Sequence, residues 1–250
     1  MKNFRTILFS IALTALSAVS CQEDDNTLYY NNRTMGNIVD GRFVSDKGNI
    51  FNVVEQTCDG KVDTMKRAIM VCDVLNTTEG REDEYDVRVS QLASVLTKNP
   101  VASADADEDI MVKDPIHIPE IWYSGGYLNM QIVIPIKHGS KVKHMINLVY
   151  STNEDGAYTF EIRHNGFGDT FKENASGMTL GGAYVSFPIT EIVGKDNAKF
   201  IIRWKWLEPT DDGYGWTKTE KEYKVEYEWK REGFEQVPLT FTPKSGSEII

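Results

Sequence analysis

Along most of the chain, apolar and polar residues alternate with a period of two, the spacing of a half-buried strand. Residues 37–44 alternate in this way, Asp46-Lys47-Gly48-Asn49 forms a turn, and residues 50–57 give the returning strand of a hairpin. Asp59-Gly60-Lys61 marks a further turn. Residues 67–75 make an apolar central strand, 76–84 a charged loop and 85–89 another strand. Residues 90–96 fit a short helix, with Ser90 as its cap and Leu92, Val95 and Leu96 on one face. The acidic stretch 99–114, with Asp105, Asp107, Glu108 and Asp109, is read as a solvated linker, since it lacks the Gly-centred ligand spacing of a calcium loop. Beyond it come a Gly125-Gly126 turn, a long strand over 127–136, and shorter strands over 145–150, 158–164, 183–187, 198–207 and 223–230, with one helical turn at 189–193. Strands separated by turn-rich gaps indicate an antiparallel β-sandwich.

The first twenty residues break this pattern. Lys2 and Arg5 precede an apolar run over 7–19, too short for a bilayer span of about 20 residues but suited to a cleaved export signal. The run ends Ala18-Val19-Ser20-Cys21, small residues that admit a lipoprotein signal peptidase, with Ala18 where Leu is usual. Cys21 is therefore assigned as the lipid-bearing first residue of the mature chain, with palmitate among its acyl groups. Two or three acyl chains make a stable anchor where one does not. The next residues, Gln22-Glu23-Asp24-Asp25, form a solvated acidic spacer, and they also resemble the surface-export signal of Bacteroidota lipoproteins. The expected location is the outer membrane, with display at the cell surface preferred to a periplasm-facing anchor. Residues 21–33 read as a flexible tether, 34–112 as a first β domain and 113–250 as the sandwich.

Charge narrows the partners. The full chain carries a net −10, and losing Lys2 and Arg5 with the signal, but no acid, takes it to −12. Nucleic acid, which needs a basic footprint, is excluded as a partner on this ground. With Cys21 acylated, Cys58 and Cys72 remain, 14 residues apart. They are either a disulfide of the oxidising envelope or two buried thiols, and the second reading is preferred.

Candidate chemistry is sparse. His117, His138, His144 and His164 lack zinc-ligand spacing, so no metal and no cofactor are expected. His138 and His144, among Lys137, Lys141 and Lys143, read as an exposed hairpin tip. Ser124 lies in Trp-Tyr-Ser-Gly-Gly, not in the Gly-x-Ser-x-Gly elbow of hydrolases, and reads as a turn residue. The aromatic residues of 204–229 mostly suit a core, but Tyr214 and Trp216 sit on an Asp211-Asp212-Gly213 hairpin tip and are a candidate binding tip. An enzyme is not expected.

Several segments together resemble the NigD-like lipoproteins of Bacteroidota. They are Lys66-Arg67-Ala68-Ile69-Met70-Val71-Cys72-Asp73-Val74-Leu75, Tyr85-Asp86-Val87-Arg88-Val89, Leu96-Thr97-Lys98, Asp114-Pro115-Ile116, Ile121-Trp122-Tyr123-Ser124-Gly125-Gly126-Tyr127-Leu128-Asn129 and His144-Met145-Ile146-Asn147-Leu148-Val149. The block from Trp122 to Asn129 is the best single mark, with an additional Gly at Gly126. The resemblance implies an N-terminal OB-like β-barrel followed by a C-terminal β-sandwich, and no assigned molecular activity. The expectation is a non-enzymatic binding or accessory protein of the envelope with an unknown protein or glycan partner. The alternatives are a surface glycan-binding lipoprotein of a nutrient-uptake system and a bacteriocin-associated immunity or secretion accessory.

Overall fold

The structure is a computed structural model and describes residues 33–154, 156–169, 178–194, 199–209 and 216–228. The export signal, Cys21, the Gln22, Glu23, Asp24 and Asp25 segment and Tyr214 lie outside the described residues, as does the side chain of Trp216.

The first domain is a closed five-stranded barrel. Its strands are β1 (Arg33–Val39), β2 (Arg42–Ser45), β3 (Ile50–Gln56), β4 (Arg67–Thr77) and β5 (Glu84–Ser94), in the order β1-β2-β3-β5-β4. Four neighbouring pairs are antiparallel, and β3 runs parallel to β5. A five-stranded barrel meets the OB-like expectation. Phe43, Phe51, Met70, Cys72, Val74, Val87 and Val89 fill it, alternating along their strands with less buried neighbours. Gly36 pairs with Ser45 of β2 on one side and Ala68 of β4 on the other. A Cβ there would overlap the Val44 carbonyl and the Phe43 ring, so only glycine lets β1 bridge the two strands.

Two local readings change here, and the choice left at the cysteines is decided. Residues 37–44 are not one strand. Asp40 and Gly41, with φ of 50° and 76°, turn the chain between β1 and β2, as an Asp-Gly pair does in tight hairpins. Residues 90–96 are not a helix, since Gln91, Leu92, Ala93 and Ser94 pair with Val71, Met70, Ile69 and Ala68 of β4. The ladder that closes the barrel outweighs a helical spacing of three apolar residues. Ser90 Oγ donates to the Val71 carbonyl of β4 and does not cap a helix. Cys58 and Cys72 form no disulfide: Cys72 lies in the barrel core opposite Val89, while Cys58 follows β3 and is half-buried.

The second domain is a sandwich of two sheets. Its elements are β6 (Leu96–Thr97), β7 (Val101–Ala102), β8 (His117–Ser124), β9 (Tyr127–Lys137), β10 (Met145–Thr152), β11 (Tyr158–Asn165), β12 (Met178–Pro188), α1 (Thr190–Val193), β13 (Lys199–Pro209) and β14 (Trp216–Glu228). One sheet runs β14-β13-β11-β10-β7 and the other β6-β12-β9-β8. The hairpin neighbours are antiparallel, whereas β7–β10, β6–β12 and β11–β13 pair in parallel. Leu128, Met130, Ile132, Ile134 and Ile136 point from β9 into the core, the period-two face, and meet Phe160, Phe187, Phe200 and Trp204. Each such side chain contributes about 1.5–3 kcal/mol relative to exposure.

Residues 99–114 are not a detached linker. β6 and β7 each join a sandwich sheet, Asp107 caps Ile110, and the carbonyls of Asp109 and Met111 accept from Asn165 and Arg163. The sandwich therefore begins near residue 96, and a domain boundary after residue 112 falls inside it.

Candidate functional site

Arg67 opens β4 and is the largest fully buried side chain, 1% exposed. A buried guanidinium is tolerated only if all its donors are paired. Here all five N–H groups are. Nε donates to Ser186 Oγ (3.0 Å), one terminal nitrogen to Asn37 (3.1 Å) and Asp46 (2.8 Å), and the other to Asp46 (2.7 Å) and Asn129 (3.0 Å). The Asp46 carboxylate, in the β2–β3 turn, thus receives a two-pronged ion pair and also accepts from Ser124 Oγ. Asn129 closes the network, donating to Ser124 Oγ and the Tyr127 carbonyl while accepting from Ser186. Asn37, Asp46 and Arg67 belong to the barrel; Ser124, Asn129 and Ser186 belong to the sandwich. Beside the network, Met35, Ile69 and Val95 pack against Tyr184 and Trp122, and Arg33 donates to the Tyr184 hydroxyl at 2.8 Å. The two domains are joined by a fully paired polar rivet in an apolar surround.

The rivet reaches the surface through Tyr127. The Arg67 guanidinium carbon lies 4.1 Å from the Tyr127 ring centroid, a cation–π contact. Tyr127 lines an open cleft of about 460 Å³ with Asn99, Tyr150, Thr190, Glu191 and Ile192. That volume lies in the range of small-molecule sites. Its floor is fixed: the Gly126 carbonyl accepts from the Ile189 and Thr190 amides and from Thr190 Oγ1, and Tyr123 OH lies 2.8 Å from the same Oγ1. Burial first, and then the nearby Asp46 charge, raise the Tyr123 phenol against the lowering effect of its Thr190 hydrogen bond, so it stays neutral. Gly125, at φ 58°, leaves space for the Asp46 carboxylate where a Cβ would collide with it.

A second polar cluster lies at the far end of the sandwich. His144 is fully buried, which overturns its reading as part of an exposed tip; His138 is exposed. The reason is the register of β10 and β11, which pairs Met145 with Asn165 and so sets His144 beside His164. His144 Nδ1 and His164 Nε2 are 2.9 Å apart, and His164 Nδ1 lies 3.1 Å from the Pro115 carbonyl. A carbonyl only accepts, so His164 Nδ1 carries the proton and His164 Nε2 accepts from His144 Nδ1–H. His144 Nε2 faces Asp169 Oδ2 at 3.5 Å. Burial, then the neighbouring His144, push the His164 imidazole down to about 4. Burial raises the Asp169 carboxyl, but the Ser140 hydroxyl, the Lys137 amide and the neighbouring His144 imidazole prevail and lower it. Among the described residues, no three His, Cys, Asp or Glu side chains are grouped to hold a metal.

Sequence reasoning proposed neither cluster. Yet Arg67, Ser124, Tyr127 and Asn129 all fall in segments that carried the family resemblance, and Ser124 is no ordinary turn residue.

A two-domain β protein with a barrel riveted to a sandwich, and a sandwich cleft beside the rivet, is the class so defined. A family model described as the NigD-like C-terminal beta sandwich domain matches residues 99–227, and the chain belongs to the NigD-like family. Solved structures share the fold. A protein of unknown function, DUF1344, from Bacteroides vulgatus is 19% identical with a TM-score of 0.59, covering 88% of this chain and 99% of its own. A NigD-like immunity protein from Bacteroides caccae is 18% identical with a TM-score of 0.51, covering 84% and 99%. A Bacteroides fragilis protein named, provisionally, a lipoprotein is 12% identical with a TM-score of 0.50, covering 78% and 96%. No curated protein matches the sequence.

Proposed function

We propose that this chain is a lipid-anchored, non-enzymatic binding protein of the outer membrane. Acylated Cys21 holds it, and Gln22-Glu23-Asp24-Asp25 direct it to the cell surface. Its ligand or partner docks in the sandwich cleft beside Tyr127. The observation that carries the binding reading is the cleft beside Tyr127, whose walls come from separate segments and whose floor is hydrogen-bonded in place before any ligand arrives. Such a preformed site binds without the cost of ordering itself. The location rests on the residues before and after Cys21, and the name of the Bacteroides fragilis relative is in keeping with it.

Cell fractionation with protease shaving tests this reading. The full chain is expected in the outer-membrane fraction and cleaved by protease added to intact cells. Replacing Glu23, Asp24 and Asp25 by Ala is expected to leave the anchor and abolish the cleavage. Recovery of the wild-type protein in the soluble periplasm would overturn the proposal.

A further inference from the structure

We infer that the cleft between Asn99, Tyr127, Tyr150 and Glu191 is a site for a neutral saccharide. The inference rests on the binding reading above and names the class of ligand.

Charge sets the first limit. The lining contains one carboxylate, Glu191, and among the described residues no Lys, Arg or His. The Arg67 cation against Tyr127 is spent on Asp46 and on three neutral partners, and Lys98, next to Asn99 in the chain, donates to Asn147. A phosphate, a carboxylate or a uronic acid would meet an uncompensated like charge at Glu191. The ligand is therefore neutral or weakly cationic.

Hydrogen bonding sets the second. A peptide bound in extended form relies on main-chain pairing with the protein. The main-chain acceptor at the cleft floor, Gly126 O, already takes two amides (3.1 and 3.3 Å) and a hydroxyl (3.0 Å). The lining residues also bring an amide (Asn99), a carboxylate (Glu191) and two phenols (Tyr127 and Tyr150). An amide and a carboxylate together match vicinal hydroxyls, each of which donates and accepts.

The rings set the third. Tyr127 and Tyr150 both line the cleft, and a tyrosine presents an apolar face and a polar tip, as a pyranose does. Tyr127 is held by the Arg67 guanidinium over its ring, which fixes the orientation of the ring in the cleft wall. Tyr150 is steadied by Phe160, whose ring centroid is 6.3 Å away. Two fixed rings, one carboxylate and one amide around an open cleft suit a short, uncharged segment of a glycan.

The experiment uses the mature lipidated chain in detergent micelles. It is applied to an array of neutral, amino and uronic-acid oligosaccharides and of proline-rich peptides, and hits are titrated by calorimetry. Binding of neutral saccharides is expected, with uronic-acid glycans absent. Glu191→Gln, an exposed change that leaves the rivet untouched, is expected to weaken binding about tenfold at an unaltered melting temperature. Tyr150→Ala is expected to weaken binding as much or more, with some loss of melting temperature because its ring packs on Phe160. Three results would overturn the inference: no saccharide binding at millimolar concentration, peptide binding in its place, or saccharide binding that neither variant changes. None of the three bears on the lipid anchor, which fractionation reads separately.

Discussion

The guanidinium of Arg67 on β4 stacks against the ring of Tyr127 at the start of β9, 4.1 Å from its centroid. Through this contact the barrel braces one wall of a cleft otherwise built by the sandwich. The same guanidinium bonds Ser186 and Asn129 across the joint, so one side chain links the packing of the two domains to a residue that lines the cleft.

Breaking half of the rivet should cost more than removing it whole. Asp46→Ala leaves the Arg67 charge buried without its paired carboxylate and with two of its five hydrogen bonds gone, and is expected to destabilise the protein by about 3–5 kcal/mol. A double change of Arg67 to Met and Asp46 to Leu is expected to lose less. Urea unfolding of the three proteins measures both, and a double variant no more stable than Asp46→Ala would contradict the reading.

Gly36 is the tightest point of the barrel. Gly36→Ala forces its Cβ into the Val44 carbonyl and is expected to destabilise by about 1–3 kcal/mol, the usual cost of overpacking. Gly48→Ala, where open space surrounds the site but φ is 91°, provides a comparison in which only backbone strain acts. A smaller loss in thermal unfolding at Gly36 than at Gly48 would contradict the contact.

Acid should loosen the sandwich through His164. Its imidazole is held down to about 4, while the unfolded residue titrates near 6.5. Between those values the unfolded chain binds more protons, so stability is full above about 6.5 and falls as the pH drops towards 4, by at most about 1.4 kcal/mol per unit. Asp169, lowered in the fold, adds stability that is lost only as the pH falls through its own lower range. Stability measured between pH 7 and 4.5 is expected to decline, and to decline less in a His164→Gln variant.

The thiols should be free and unequal. Burial, with a smaller effect of Asp73, pushes Cys72 up to about 12, and Cys58 is raised to a lesser degree by its partial burial. Alkylation of the folded protein is expected to label Cys58 first and Cys72 only on unfolding. An intact mass two protons short of two free thiols would contradict this.

Much of the fold was legible from alternation alone. The run from Leu128 to Ile136 places every second residue in the core, and no other element fits nine residues of that kind bounded by a Gly-Gly turn and Lys137. Local signals failed where ladders decided. Leu92, Val95 and Leu96 share a helical spacing, yet their segment is claimed by β4 and β12. The turn at Asp40-Gly41 was present as a dipeptide but hidden inside an alternating run. The rivet was invisible because Arg67 finds Asp46, Asn129 and Ser186 at separations of 21, 62 and 119 residues. The pairing of His144 with His164, 20 residues apart, needed the register of β10 with β11. The binding tip favoured from sequence, Tyr214 and Trp216, falls outside the described residues and side chains, whereas Tyr127 and Tyr150 line a described cleft.

The proposed place of the protein at the outer membrane requires that it be tethered through Cys21. Metabolic labelling with radioactive palmitate, followed by immunoprecipitation, measures this directly. The wild-type chain is expected to take up label and the Cys21→Ser variant none, with the variant retained as an unprocessed precursor. Label in the variant, or none in the wild type, would contradict the account.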